Sequence, residues 1–179
     1  GEDVRDHAIA ELTPSGKTLT TNRASYDQWH INACPHHGPT MIQSSLSDDY
    51  HMSWFTNGDL NQGIYYARYS FDNEISADIF QVDSQPGAGH PFLSEHNEKL
   101  QLVWKGFNGR ETLLNLITSE DDGATWSEPT TLLKTDKGSD HPLLIQNSDS
   151  LFLSWHSDEF GYVLLDVNEN IRRLSNNEN

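Results

Sequence analysis

Apolar and polar residues alternate along this chain in short runs, and the runs come in groups. Three groups share one layout: a His-Pro or His-Gly-Pro start, a short apolar run, a loop, and a second run ending in Trp. They begin at His37-Gly38-Pro39, His90-Pro91 and His141-Pro142, and their second runs end at Trp54, Trp104 and Trp155. Alternation with a period of two marks strands with one face buried, and clusters of Asn, Asp, Gly and Ser mark the turns between them. The first group predicts strands at Pro39 to Gln43, Tyr50 to Phe55, Ile64 to Tyr69 and Ala77 to Val82. The second predicts Pro91 to Ser94, Leu100 to Lys105, Thr112 to Thr118 and Thr130 to Leu133. The third predicts Leu143 to Gln146, Leu151 to His156, Tyr162 to Val167 and Ile171 to Leu174. No segment carries a sustained helical period, so the expectation is all-β.

Four-stranded units repeated about every 50 residues are the sequence pattern of β-propeller blades. The chain divides accordingly into outer strands of a preceding blade (1–33), a blade (34–86), a second blade (87–138) and a third (139–179). In the first segment His7 to Leu12 reads as a strand, Ser15-Gly16 as its turn, and the stretch up to Ile31 as a last strand. Three blades and a piece do not easily close a ring. The expectation is another propeller half, on a second chain or a second copy, because open ends would leave edge strands bare.

Composition narrows the partners. The chain has 179 residues, 35% hydrophobic, and a formal net charge of −16. Such acidity disfavours nucleic acid and anionic membrane surfaces and suits cations, basic proteins or neutral glycans. No apolar stretch reaches the length of a transmembrane segment. One cysteine, Cys34, excludes an intrachain disulfide. The acidic, Trp-rich, nearly Cys-free character leads to the expectation of an exported protein.

The sharpest local motif is Ser119-Glu120-Asp121-Asp122-Gly123-Ala124-Thr125-Trp126, between the third and fourth strands of the second repeat. Ser119 and Asp121 can hold a tight hairpin through backbone hydrogen bonds, Gly123 supplies a positive φ, and Trp126 tucks its ring against the blade, with Thr125 completing the pattern. Ser70-Phe71-Asp72-Asn73-Glu74 and Leu12-Thr13-Pro14-Ser15-Gly16-Lys17-Thr18 are eroded versions. This Ser-x-Asp-x-Gly-x-Thr-Trp pattern is an Asp-box, and with it the chain resembles the sialidase-like BNR-repeat β-propellers, above all bacterial ones with a Cys-Pro-x-x-Gly-Pro segment, here Cys34-Pro35-His36-His37-Gly38-Pro39. The resemblance implies a sialidase-like propeller, often exported. In true sialidases of the family it implies three arginines on the substrate carboxylate, a Tyr nucleophile paired with a Glu, and an acid/base Asp. None of Arg5, Arg23, Arg68, Arg110, Arg172 and Arg173 stands in a matching motif, and Tyr65, Tyr66 and Tyr162 read as blade aromatics.

If the repeats superpose, His37, His90 and His141 hold one position in three successive blades, just before the strand that lines the channel. Two readings stand. The imidazoles can converge on a copper or zinc ion, with His36 and Cys34 adding ligands and Asp140 orienting His141. Alternatively, each caps its strand. The tryptophans read as inter-blade core, Cys34 as a small buried residue, and His51 and His156 as packing or surface groups. A ligand- or metal-binding or assembly module is the leading expectation, and an exo-sialidase or related glycoside hydrolase completed by another segment is the alternative.

Overall fold

The computed structural model describes residues 3–70 and 79–177. Its strands form a hairpin and three antiparallel sheets, each a meander in sequence order. The hairpin pairs β1 (Ala8–Leu12) with β2 (Thr18–Arg23). The first sheet holds β3 (Thr40–Gln43), β4 (Tyr50–Asn57), β5 (Gln62–Tyr69) and β6 (Phe80–Asp83). The second holds β7 (Gly89–His96), β8 (Lys99–Phe107), β9 (Thr112–Ser119) and β10 (Thr130–Thr135). The third holds β11 (Leu143–Gln146), β12 (Leu151–Ser157) and β13 (Gly161–Asp166). β7 touches both β3 and β11, so the first strand of each sheet lies along a common centre. This is a partial β-propeller with three blades and the outer strands of another, as the repeat predicts.

Burial explains the order. Three apolar clusters sit between consecutive sheets, each built around one of the repeated tryptophans. Trp54, Met52 and Ala67 pack with Ile9 of the hairpin, Trp104 and Leu102 pack with Ile64 and Tyr66, and Trp155 and Leu153 pack with Val103, Leu114 and Leu116. The three indoles are at most 1% exposed. Each also donates its Nε1–H to the segment that leads into its own blade: Trp54 to Asp27 Oδ2 at 3.0 Å, Trp104 to Asp83 Oδ2 at 2.7 Å and Trp155 to the Asp140 carbonyl at 3.1 Å. A buried indole N–H needs such an acceptor, so one residue both fills the core and ties down the start of the blade.

Several expectations need correction. Ile171 to Leu174 is not a strand but part of a helix, α1 (Val167–Asn177). The Asp166 carboxylate accepts the Glu169 N–H at 3.0 Å, an N-cap bond, and Val167, Ile171 and Leu174 recur at helical spacing. Val167 and Ile171 join the cluster between the second and third sheets, so α1 stands where a fourth strand would have been. The last strand expected up to Ile31 ends at Arg23. Residues 71–74 of the eroded motif and the start of the strand expected from Ala77 lie outside the described residues. Among the described residues no helix is long and apolar enough to cross a membrane.

Candidate functional site

The three repeated histidines do meet, where the channel-side strands begin. Their rings form a column: His37 and His90 stack with centroids 4.1 Å apart and planes 17° apart, and His90 and His141 at 3.4 Å and 15°. Phe55 closes one end by stacking on His37 at 4.3 Å. His141, at the other end, is exposed. The register of β7 on β8 shifts between Gly89 and Phe92, and His90 within that shift has φ 55°. A positive φ is uncommon outside glycine, though His is among the residues that adopt it most readily, and here it goes with the imidazole leaving the strand's alternation for the column. A Cβ on Gly89 would stand 3.0 Å from His37 Cε1, so the neighbouring glycine leaves room for the stack.

Burial lowers the pKa of His90 to about 4, helped by the neighbouring His37, His141 and Lys105. Burial also lowers His37, with His141 and His36 adding to the effect. These two rings are therefore neutral near pH 7. His37 Nδ1 is buried without a hydrogen-bond partner, and among the described residues none of the three rings hydrogen bonds to another side chain or carbonyl. Lys105 Nζ, beside the column, donates to the Ser139 carbonyl at 2.9 Å. Burial lowers its pKa while Asp140 opposes the shift.

The copper or zinc expectation needs lone pairs that converge on one point, and this arrangement does not offer them among the described residues. Imidazole lone pairs lie in the ring plane, and stacked rings aim them side by side rather than at one point within the roughly 2.0–2.1 Å of a metal–nitrogen bond. His36 and Cys34 are exposed, Cys34 contrary to the expected burial. Among the described residues no group of three or more His, Cys, Asp or Glu side chains is placed to hold a metal. Among the described residues the hydrogen bond to a neighbouring carbonyl that the strand-capping alternative calls for is not made either.

At the opposite ends of the same strands lies a groove of about 720 Å³. Ile42, Phe92 and Leu144 line it with Glu95, His96 and Gln146. His96 Nδ1 lies 3.2 Å from Gln146 Oε1, and the Glu95 carboxylate accepts the Ser45 N–H at 3.0 Å and its hydroxyl. Sequence reading missed this group because Glu95 and His96 have no counterpart at the same place in the other repeats.

The Ser119–Trp126 hairpin is held by its own side chains. Asp121 accepts the Thr125 N–H at 2.8 Å and hydroxyl at 2.6 Å, while Ser119 Oγ donates to Asp121 at 2.8 Å and accepts the Gly123 N–H at 2.9 Å. Trp126 meets Tyr66 edge-on at 4.8 Å. The neighbouring Asp122 reaches the first sheet, taking bonds from Ser44, His51 and Arg68. The motif is a clasp between blades, distant in the sequence pattern from the histidine column.

Arg68 is held by Asp49 and Asp122, Arg23 by Asp6, and Arg173 pairs with Glu169 on α1. The arginines thus serve separate parts of the chain. Tyr65 and Tyr66 are buried as expected, whereas Tyr162 is 65% exposed.

No protein-family model matches the chain. No curated protein matches it either. Among solved structures, it is similar to an alpha-L-arabinofuranosidase from Lactobacillus brevis, at 13% identity and TM-score 0.50 over 87% of this chain and 55% of that one. It is also similar to an exo-1,5-alpha-L-arabinanase from a bovine ruminal metagenomic library, at 11% identity and TM-score 0.50 over 92% of this chain and 66% of that one. The chain therefore spans about half to two thirds of the length of these propeller glycosidases, and the likeness establishes the fold.

Proposed function

We propose that the chain is the glycan-holding part of a propeller glycoside hydrolase and that a neutral sugar lies along the edge of the His37–His90–His141 column. The observation that carries this reading is the column itself: stacked imidazoles at the channel mouth with ring nitrogens unpartnered among the described residues. A neutral imidazole offers one donor and one acceptor, so such a column matches the hydroxyls of a sugar better than a metal or an anion. The fold it shares with two arabinan-type glycosidases favours a pentose polymer as the glycan. A sialic acid is less well served, because its carboxylate needs clustered arginines and those of this chain are dispersed. Hydrolysis needs two carboxylates flanking the scissile bond. Asp140 beside the column is one acid available there, and the other belongs to further blades in this reading.

Histidine Hε1 signals in NMR spectra test the proposal during titration with linear arabino-oligosaccharides and, separately, sialyllactose. The arabino-oligosaccharides should shift the signals of His37, His90 and His141, and His90→Asn, which tolerates the positive φ, should weaken binding by about tenfold or more. Undiminished binding in that variant, or a response to sialyllactose alone, overturns it.

A further inference from the structure

Among the described residues the third sheet has one face without a cover. Leu143 pairs with Ser154 and Ser154 with Leu164, Ile145 pairs with Phe152, and Tyr162 follows on the same side. Leu143 and Ile145 are each 45% exposed, Leu164 51% and Tyr162 65%. The opposite face, with Leu144, Leu153 and Trp155, is buried against the second sheet. α1 packs on β10, β12 and β13 and contributes Val167 to that same buried side. β13 is moreover the last strand of a three-stranded sheet, whereas the first and second sheets each have a fourth.

The repeat says what belongs on this face. Counting from the tryptophans, Ser154 and Leu164 stand where Val103 and Leu116 stand in the second sheet, and Tyr162 where Leu114 stands. Those three are at most 2% exposed, because the Trp155 face of the next sheet covers them. Ile64 and Tyr66 hold the matching places in the first sheet, and the Trp104 face covers them in turn. We infer that the Leu143–Ile145–Tyr162–Leu164 face is the seat of a further blade that presents a Trp-centred apolar face like that of the second and third sheets. The propeller glycosidases similar to this chain are longer than it by roughly the remainder of such a ring. A second copy of this chain is a poor occupant. Its own Trp faces are all buried, and along most of the hairpin the outward side offers the small or polar Ala8, Ala10, Thr21 and Arg23, with the exposed Leu12 and Leu19 confined to the turn end. Two chains of net charge −16 also repel. This inference concerns assembly and stands whether or not the histidine column binds sugar.

The test appends a second copy of residues 87–138, the repeat whose Trp104 face already covers the first sheet, to the end of the full chain through a Gly/Ser linker. A single blade cannot bury its apolar face alone, so it should fold only by docking. The expected result is a gain in β-sheet circular dichroism and at least about tenfold slower amide exchange across Tyr162–Leu165. Leu164→Asp in the fusion should remove both effects while leaving the far-UV spectrum of the unfused chain unchanged, since Leu164 faces solvent there. An appended repeat that stays unfolded, unchanged exchange in β13, or a dimer of the unfused chain that Leu164→Asp dissociates would each overturn the inference.

Discussion

The carboxylate of Asp122 lies 2.9 Å from His51 Nε2, bridging 71 residues and two blades. His51 is fully buried, and its Nδ1 is 2.7 Å from the Tyr66 hydroxyl. With Nε2–H donating to Asp122, Nδ1 is left to accept from Tyr66, which fixes the tautomer by its partners. Burial lowers the pKa of His51 and Asp122 raises it, and burial also pushes the Tyr66 phenol up. The same carboxylate takes the Ser44 hydroxyl at 2.8 Å and the Arg68 guanidinium at 3.0 Å. Asp122→Ala should therefore leave the Ser44 and His51 donors without this acceptor, while Arg68 keeps Asp49, and cost about 1–3 kcal/mol in urea unfolding. Asp122→Asn keeps one acceptor and tolerates the φ of 57°, so its loss should be smaller.

The tie between each tryptophan and the start of its blade gives a comparison across repeats. Asp27 is 1% exposed and also accepts from Asn61 Nδ2 at 2.8 Å, so Asp27→Ala strands two donors. Asp27→Ala and Asp83→Ala should each lower stability by about 1–3 kcal/mol. Asp140→Ala should stay within about 0.5 kcal/mol, because Trp155 uses the main-chain carbonyl there. Equal losses at all three positions by chemical denaturation would contradict this account.

In the Asp-box the test position is Gly123. Its φ is 84°, and a Cβ there would stand 1.7 Å from the Tyr66 hydroxyl. Gly123→Ala should thus combine backbone strain with displacement of Tyr66 from His51, costing about 1–3 kcal/mol. Asp121→Ala removes the bonds that hold Thr125 and should lower the thermal midpoint without altering the ring signals of His37, His90 and His141. A shift of those signals would show that the motif and the column are coupled.

Particular residues show what the sequence could reveal. The tryptophan and histidine spacing made the blades, the inner strands and the meeting of the three histidines legible, because a pseudo-repeat carries equal positions to equal places. It could not reveal that the rings stack: that depends on the bulge and positive φ at His90, which no spacing encodes. The clasp of Asp122 was hidden beside the defined Asp121, since the motif describes its own hairpin and not the sheet it touches. The helix was legible in principle. Asp166 three residues before Glu169, followed by apolar residues at 171 and 174, is a capped helical start that the expectation of a fourth strand overrode.

Acid should loosen this protein through its neutral histidines. Burial lowers the pKa of His7, His37, His51 and His90, to about 4 in the last case. Their unfolded-state value is about 6.5, so below that pH the unfolded chain binds protons that the fold refuses. The stability that neutrality confers is full above about pH 6.5 and declines as pH falls toward the folded-state values. For His90 a proton also places charge within a stack whose next centroid is 3.4 Å away. The thermal midpoint should therefore fall steadily from pH 7 to 4.5, and His90→Asn should flatten that fall while changing the midpoint at pH 7 far less. A midpoint that holds constant or rises across this range, or a slope unchanged by His90→Asn, would show that the column does not resist protonation.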